Sequence, residues 1–311
     1  MRLHRGLALG ASLLVLFSAC TAGGGSKPTL KIGSDAFYES KLMAEIYGQA
    51  LEAKGYTIDR TGIGLKSRDV SAPALESGQI DLKPEYIGSG LAHYDKTKIS
   101  GDPATESAAL QTILTGKGGG ITVLNYSPAA DQNAFVVRKE TADQDHLTKM
   151  SDLTPVAGQL KFGVATDCPT NPVCGAALKS AYGIDVANAT LLSACDTPMV
   201  QALLAKTIDV GELCSTQPDI LVNGWVLLTD DKATQPADNL APLVRNDYLG
   251  KLSSTDKDAF EKVLNDVSAK MDTATLTDLG KQISVDKKDV AAVAKAWLQA
   301  KGFVTGGPAA S

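Results

Sequence analysis

The chain has 311 residues, of which 44% are hydrophobic and 21% are charged, and its formal net charge is −5. The apolar fraction excludes a disordered chain, and the length predicts two lobes or one large domain. The acidic balance, with 30 basic and 35 acidic residues, argues against a nucleic-acid-binding protein, because such proteins usually have a basic patch.

The first twenty residues have the pattern of an export signal. A basic start (Met1–Arg5) precedes a short uncharged stretch, which is too short for a transmembrane helix. The ending Phe17–Cys20 resembles a bacterial lipoprotein signal, in which the cysteine becomes the lipid-modified first residue. We therefore predict a signal peptide over residues 1–19, lipidation of Cys20 and a flexible tether over residues 20–28. The alternative is an ordinary secretory signal with an incidental cysteine.

Short apolar strands and amphipathic helices alternate along the rest of the chain. Strands are predicted at residues 30–32, 56–59, 80–82, 121–124, 134–137, 161–165 and 189–192. Helices are predicted at residues 39–54, 73–76, 175–182, 197–204, 255–271, 275–283 and 288–301. This alternation predicts an α/β fold with mostly parallel sheets.

One short internal sequence repeat, called the echo below, bears on the domain organisation. Residues 74–82 and 202–210 share the order Ala-Leu, four residues, Ile-Asp and an apolar residue, which indicates a helix end, a turn and a strand. Chance is one explanation, since such units are common. The other is two lobes built on one plan, which would place a ligand cleft between them. We predict a first lobe of residues 29–131 and 238–311 and a second lobe of residues 132–237.

The five cysteines divide into one predicted anchor and four in an exported, oxidising setting. Cys168 and Cys174 are close enough in sequence for a small disulfide loop, and Cys195 would then pair with Cys214. Four cysteines allow three connectivities, so the spacing favours this pairing without excluding the others. A zinc site is the weaker alternative, because the spacing is not that of C-x₂-C and few histidines are present.

Four segments in the first third of the chain follow the order of a known family: Ile32–Glu39, Glu45–Leu51, Ser67–Asp69 and Pro84–Gly90. They resemble the substrate-binding proteins of ABC importers for osmoprotectants such as glycine betaine, choline and related quaternary amines. The resemblance implies a type II periplasmic-binding-protein fold, in which two α/β lobes are joined by two crossing strands. It also implies ABC permease and ATPase partners and a lipid-anchored, extracytoplasmic location, either periplasmic or on the outer face.

The resemblance assigns ligand-binding positions residue by residue. Tyr86 matches a cage tyrosine, and Ser89 matches a hydroxyl contact. Other cage positions are substituted, with Asn133, Val200 and Cys214 where aromatic residues are expected. A further position, Asn171, replaces an arginine that often binds the ligand carboxylate. One cage aromatic of four remains, a pattern that resembles a low-affinity or divergent subgroup.

Further candidates come from their positions at strand ends and near the crossover. Asp35 could face a cationic ligand or cap the following helix, and Tyr126 precedes the crossover. Ser215, Thr216 and Gln217 follow a predicted strand and could contact ligand or cap a helix. Among nearby aromatics, Phe37 and Tyr38 could substitute for the missing cage, although Phe37 is predicted to be a core residue.

The sequence therefore predicts a binding protein for a small cationic or zwitterionic osmoprotectant, with no cofactor, no metal and no nucleic-acid partner. An enzyme is disfavoured because the chain has no Gly-x-Ser-x-Gly elbow and no phosphate-binding loop. The alternatives are a receptor for a different polar solute, given the depleted cage, and an exported enzyme on the same scaffold.

Overall fold

The structure is a computed structural model that describes residues 27–171 and 173–305. The predicted signal peptide, Cys20 and most of the predicted tether lie outside these residues. Within the described ranges, no helix combines the length and apolarity that a membrane span requires.

Two five-stranded sheets, one in each lobe, organise the fold. The first sheet has the order β2-β1-β3-β10-β4, and the second has the order β7-β6-β8-β5-β9. The strands are β1 (Leu30–Asp35), β2 (Ile58–Leu65), β3 (Leu82–Tyr86), β4 (Ile121–Val123), β5 (Asn133–Val137), β6 (Phe162–Ala165), β7 (Thr190–Leu192), β8 (Val210–Cys214), β9 (Val226–Leu227) and β10 (Leu240–Arg245).

Helices cover both sheets. They are α1 (Tyr38–Glu52), α2 (Arg68–Ser77), α3 (Ile87–Asp95), α4 (Pro103–Thr115), α5 (Lys139–Asp145), α6 (Met150–Leu153), α7 (Gly175–Ala177), α8 (Thr197–Leu204), α9 (Pro218–Val222), α10 (Asn246–Leu249), α11 (Ser254–Ser268), α12 (Thr273–Ser284) and α13 (Val290–Ala300). A π-helical turn, Leu178–Tyr182, continues α7. The α/β class is as predicted. The elements additional to the predicted ones are α3, α4, α5, α6, α9, α10, β9 and β10.

Helix α1 shows how the sequence pattern produces the core of the first lobe. Its apolar residues recur at helical spacing, so they form one face that packs against the sheet and against α11 and α13. Leu42, Ile46 and Tyr47 on this face are fully buried. Because Tyr47 is buried, its hydroxyl needs a partner, which is Ser268 Oγ at 2.9 Å.

The expectation of mostly parallel sheets is wrong. Strand β10 pairs antiparallel with β3 and β4, and β5 pairs antiparallel with β8 and β9, while the other four pairings are parallel. The antiparallel strands β5 and β10 are the first that the chain forms after crossing into the other lobe. Each inserts beside the central strand of its sheet in the opposite direction.

The internal echo reflects two lobes with one topology, since the two strand orders correspond position by position. Asp81 accepts a hydrogen bond from the Lys31 backbone N–H at 3.0 Å, and Asp209 accepts one from Lys161 N–H at 2.9 Å. Ile80 and Ile208 also match. A Cβ added to Gly33 or Gly163 would lie 2.5 Å from the Cδ1 of the respective isoleucine, so a side chain at either position would displace that isoleucine.

Two antiparallel segments join the lobes. The chain leaves the first sheet after β4 and returns before β10, and the two crossing segments meet at an isolated bridge between Ala130 and Asn239. Next to this bridge, Asp131 N–H donates to Asp238 O at 3.0 Å. This backbone hydrogen bond places Asp131 and Asp238, two residues with carboxylate side chains, next to one another where the lobes meet.

Both disulfides lie in the second lobe. The structure pairs Cys168 with Cys174 and Cys195 with Cys214, which is the connectivity that the spacing favoured. The buried Glu212 lies beside the first pair, with 3.6 Å between its Oε2 and Cys174 Sγ. Because the sulfurs are joined in pairs, they are not free thiolates, which argues against the zinc alternative.

Candidate functional site

Two neighbouring cavities lie between the lobes and share Phe37, Asp131 and Cys214 in their linings. The Tyr86 cavity, of about 280 Å³, is further lined by Arg68, Tyr86, Ser89, Gln132, Asn133 and Asp238, among others. The Thr216 cavity, of about 480 Å³, is further lined by Tyr38, Glu39, Val200, Thr216, Gln217 and Asp219, among others.

Aromatic rings form the first-lobe wall of this cleft. Phe37 precedes α1 and stacks on Tyr86, the last residue of β3, with ring centroids 6.0 Å apart and an interplanar angle of 24°. The prediction that Phe37 is a core residue is wrong, because the side chain is 42% exposed. Tyr38 lines the Thr216 cavity. Aromatic faces of this kind attract cations through the ring quadrupole.

Buried carboxylates lie next to these rings. Glu39 accepts hydrogen bonds from the hydroxyls of Tyr86 and of Tyr38, the latter at 3.0 Å. Thr216 of the second lobe lines the same cavity as this carboxylate, so the two lobes face one another here. Burial raises the pKa of Glu39, although these hydrogen bonds oppose the shift.

The crossover supplies two more carboxylates. Asp131 accepts from Thr216 N–H at 3.2 Å, and its pKa is raised to about 7 by burial and by the charge of Glu39. Asp238 accepts from Ser89 N–H at 2.5 Å and from Ser89 Oγ at 2.7 Å. Burial raises the pKa of Asp238 to about 6. Like charges at close range disfavour ionisation of one another, so the mutual proximity of Glu39 and Asp131 adds to the effect of burial on their pKa values.

The structure places most of the predicted ligand-binding residues in this cleft. Tyr86, Ser89 and Asn133 line the Tyr86 cavity, and Thr216 and Gln217 line the Thr216 cavity. Their contact with a ligand stays a prediction. Asn133 is exposed at the start of β5 and pairs in register with Cys214 at the end of β8. The two positions at which the resemblance leads us to expect aromatic residues therefore lie opposite one another on neighbouring strands.

Three predicted residues lie elsewhere. Asp35 is buried in the first lobe, where it accepts from Ser71 and lies 3.7 Å from Lys83 Nζ, so its carboxylate is already satisfied. Tyr126 packs against an apolar cluster of the first lobe. Ser215 lines neither of the two cavities and binds the crossover, where its Oγ accepts from Gln132 N–H at 2.9 Å.

Sequence reasoning missed Glu39, Asp131 and Asp238 as members of the site. Glu39 ends the first family-like segment, which offered an indication of its role. Asp131 and Asp238 both adjoin the predicted crossover, but the partner of Asp238, Ser89, is distant in sequence. The Asn171 side chain donates to Asp167 at 3.0 Å within its own loop.

Two α/β lobes, a double crossover and a cleft between the lobes define a two-lobed solute-binding protein. The family model described as the substrate-binding domain of an ABC-type glycine betaine transport system matches residues 28–300. The chain belongs to this family.

Curated relatives align over nearly the whole chain. The glycine betaine-binding protein YehZ of Escherichia coli (strain K12) is 26% identical, over 96% of this chain and 98% of that protein. The carnitine transport binding protein OpuCC of Listeria monocytogenes is 25% identical, over 94% of each.

Solved structures share the fold. A crystal structure of a glycine betaine/carnitine/choline ABC transporter superposes with a TM-score of 0.78, at 22% identity, over 88% of this chain and 99% of that one. The apo structure of YehZ gives a TM-score of 0.76 at 23% identity, over 89% and 99%.

Proposed function

We propose that the protein is the lipid-anchored, extracytoplasmic receptor of an ABC importer and captures a small cationic or zwitterionic osmoprotectant by lobe closure. The proposal rests on one observation above all, the stacked rings of Phe37 and Tyr86 beside buried carboxylates in the cleft. Glycine betaine, choline and related compounds are the ligands to test first.

The chemistry of such ligands suits this wall. A quaternary ammonium has a charge but no N–H, so aromatic faces and carboxylates attract it where directed hydrogen bonds cannot. Each aromatic face contributes about 0.5–2 kcal/mol, more when water is excluded. Closure of the lobes over the ligand would exclude that water and strengthen both attractions.

Delivery to a permease and its ATPase would follow capture, with Cys20 as the anchor. The anchor has its own test, in which the native chain and a Cys20→Ser variant are expressed in the source cell. We expect the native chain in the membrane fraction with an acyl mass on the first mature residue. The variant should be released or remain unprocessed, and an unmodified native Cys20 would contradict the anchor.

Ligand capture is tested by thermal unfolding of the mature chain with glycine betaine, choline, carnitine, ectoine and a neutral polyol. A ligand at a hundredfold excess over Kd stabilises the native state by about 2.7 kcal/mol. We expect stabilisation by at least one quaternary amine and none by the polyol. Stabilisation by the polyol alone would favour the alternative, a receptor for another polar solute, which the substituted positions Asn133, Val200 and Cys214 suggest.

We propose binding without turnover. The cleft carboxylates are engaged by tyrosine, serine and threonine donors, so none is an unengaged base poised over a nucleophile. Recovery of chemically unchanged ligand after prolonged incubation is the expected result. Conversion of the ligand would favour the enzyme alternative.

A further inference from the structure

The two disulfides of the second lobe differ in their exposure and in their access to the cleft. Cys168 and Cys174 are buried, at 0% and 2% exposure, and neither is among the described residues that line the cleft cavities. Cys195 and Cys214 are both partly exposed. Both line the Thr216 cavity, and Cys214 also lines the Tyr86 cavity. A small molecule that enters the cleft therefore meets the second pair and not the first.

The Cys195–Cys214 disulfide joins the two segments that form the second-lobe wall of the Thr216 cavity. One segment, within residues 195–201, includes the start of α8, and the other, within residues 214–219, follows β8. The second segment is also held to the crossover, where Thr216 N–H donates to Asp131 at 3.2 Å. The position of the first segment relative to the second therefore depends on the disulfide.

The backbone at one end of this disulfide has an unfavourable conformation. Cys195 has a φ of 54°, in the left-handed region that glycine adopts readily and other residues rarely adopt. Within the described part of the chain, neither Ala194 nor Cys195 forms a backbone–backbone hydrogen bond. The disulfide is thus the link that holds this turn against the end of β8. Opening the bond would allow Cys195 to relax and the start of α8 to move away from the cavity.

We propose that the Cys195–Cys214 disulfide is a modification site for small thiols, and that its opening releases the second-lobe wall of the Thr216 cavity and weakens ligand binding. A thiolate attacks one sulfur, the S–S bond breaks, and the other cysteine leaves as a thiolate, which gives a mixed disulfide. A second thiolate attacks the mixed disulfide, so that both cysteines are reduced and the two small thiols are oxidised to one disulfide. The reaction goes beyond the proposed function, and only its effect on affinity rests on that function.

Partial reduction of the native mature chain with 2-mercaptoethanol tests the reactivity. Free cysteines are alkylated with N-ethylmaleimide at intervals and located by mass spectrometry of peptides, while circular dichroism shows that the fold persists. We expect Cys195 and Cys214 to be labelled at least tenfold faster than Cys168 and Cys174, because only the first pair lines the cleft. Equal labelling of the two pairs, or faster labelling of the buried pair, overturns the inference whether or not any ligand binds.

Calorimetry with choline and glycine betaine measures the effect on binding. We expect opening of the Cys195–Cys214 disulfide to lower the affinity for the probe that binds by about tenfold, and reoxidation to restore it. Linkage requires the bound probe to make this disulfide harder to reduce by the same factor. Unchanged affinity of the reduced protein overturns the inference and leaves the proposed function intact.

Hydrogen exchange provides a readout that needs no ligand. Binding of neither probe to the oxidised protein would overturn the proposed function, and the release of the cavity wall would still be measurable. We expect exchange in residues 195–201 to become at least tenfold faster on reduction, with little change in β1–β3 of the first lobe. Unchanged exchange in residues 195–201 overturns the inference.

Two matched serine variants separate this disulfide from the buried one. Cys195→Ser/Cys214→Ser should have the lowered affinity of the reduced chain and no response to 2-mercaptoethanol. Cys168→Ser/Cys174→Ser removes the buried link of the same lobe and should still lose affinity on treatment with 2-mercaptoethanol. A response that persists in the first variant, or disappears in the folded second variant, overturns the inference. The measurements on the native chain do not depend on the folding of either variant.

Discussion

In the first lobe, the central strand β3 has Lys83 at its second position, a lysine whose side chain is 1% exposed. In the second lobe, the echo places Gly211 of β8 at the same point. Lys83 Nζ lies 2.9 Å from Glu85 Oε2 and donates to Ser71 Oγ at 2.7 Å, whereas Gly211 packs against Leu203 and Met199. One topology is thus stabilised by a buried charge network in one lobe and by apolar packing in the other.

The same contrast extends to the strand ends. Tyr86 ends β3, and the corresponding Cys214 ends β8 in a disulfide with Cys195. Both covalent links are in the second lobe. The comparison shows that a shared strand order does not fix the interactions that stabilise it. Each lobe can therefore be perturbed by a change with no counterpart in the other.

The largest effect is expected from Lys83→Met. Burial alone would raise the pKa of Glu85, but the charges of Lys83 and Arg68 outweigh burial and lower it to about 2. Removing the lysine leaves Asp35 and Glu85 with less compensation, and breaking a buried pair in this way costs about 3–5 kcal/mol. Denaturant unfolding measures the loss. Lys139→Met, at an exposed pair, should cost less than about 1 kcal/mol, and equal effects would contradict the role of the network.

Removal of the Cys195–Cys214 disulfide by a double change to serine should have the next largest effect. The link closes a loop with a sequence separation of 19, for which chain entropy predicts about 3 kcal/mol. The matched Cys168–Cys174 variant, with a separation of 6, should lose about 2 kcal/mol. Hydrogen exchange should show faster opening in β6–β8 than in β1–β3. Equal loss of protection in both lobes would mean that they unfold as one unit.

A smaller effect is expected from pH. The raised pKa values of Asp131 and Asp238 mean that the folded chain binds more protons than the unfolded chain between about pH 4 and pH 7. Stability without ligand should therefore fall as pH rises through this window. The groups that face these carboxylates are Glu39, Asp219, Arg68, Tyr38 and Tyr86.

Thermal unfolding across pH 4–7 measures this dependence, and Asp131→Asn should flatten it. Glu212→Gln is the second-lobe comparison, since burial also raises the pKa of Glu212, which lies outside the cleft cavities. An unchanged slope in the Asp131→Asn variant would show that other groups titrate in this window.

The smallest effect is expected from Phe37→Ala. Because the ring is partly exposed and stacks on Tyr86, its loss should weaken binding of a quaternary amine by about 0.5–2 kcal/mol. Val200 lies on the second-lobe wall of the cleft, at a position where the family resemblance leads us to expect an aromatic residue. Val200→Ala should therefore have little effect on affinity. Calorimetry distinguishes the two walls. Greater loss in Val200→Ala would place the ligand against the second lobe.

The sequence correctly predicted those helices and strands that are stabilised mainly by residues within or next to the element itself. Helix α8 lies at residues 197–204 as predicted, because Asp196 caps it and apolar residues recur at helical spacing. Strand β10 was missed because Pro242 interrupts its sequence and its partners are distant. In the structure, Pro242 lies opposite Pro84, and its carbonyl accepts from Leu124 N–H at 3.0 Å, so its missing N–H falls at the end of the β10–β4 ladder and not within it.

The predicted Pro73–Glu76 helix was too short for a related reason. Helix α2 begins at Arg68 and accommodates Pro73. Proline at the sixth position of a helix removes one backbone hydrogen bond, so the sequence around Pro73 does not favour a helix that begins at Arg68. Packing of Ala72 and Leu75 against the first lobe offsets that loss.

The sequence by itself determined the division of the cysteines, the repeated Ile-Asp unit and the family to which the chain belongs, because each depends on residue order alone. The tertiary structure decided which groups face the ligand. Glu39, Asp131 and Asp238 are far apart in sequence, and they share one cleft because the lobes meet at the crossover and at Thr216. Asp35, equally acidic and equally near a strand end, lies against Lys83 instead. Local sequence could not separate these carboxylates, because their partners come from distant segments of the chain.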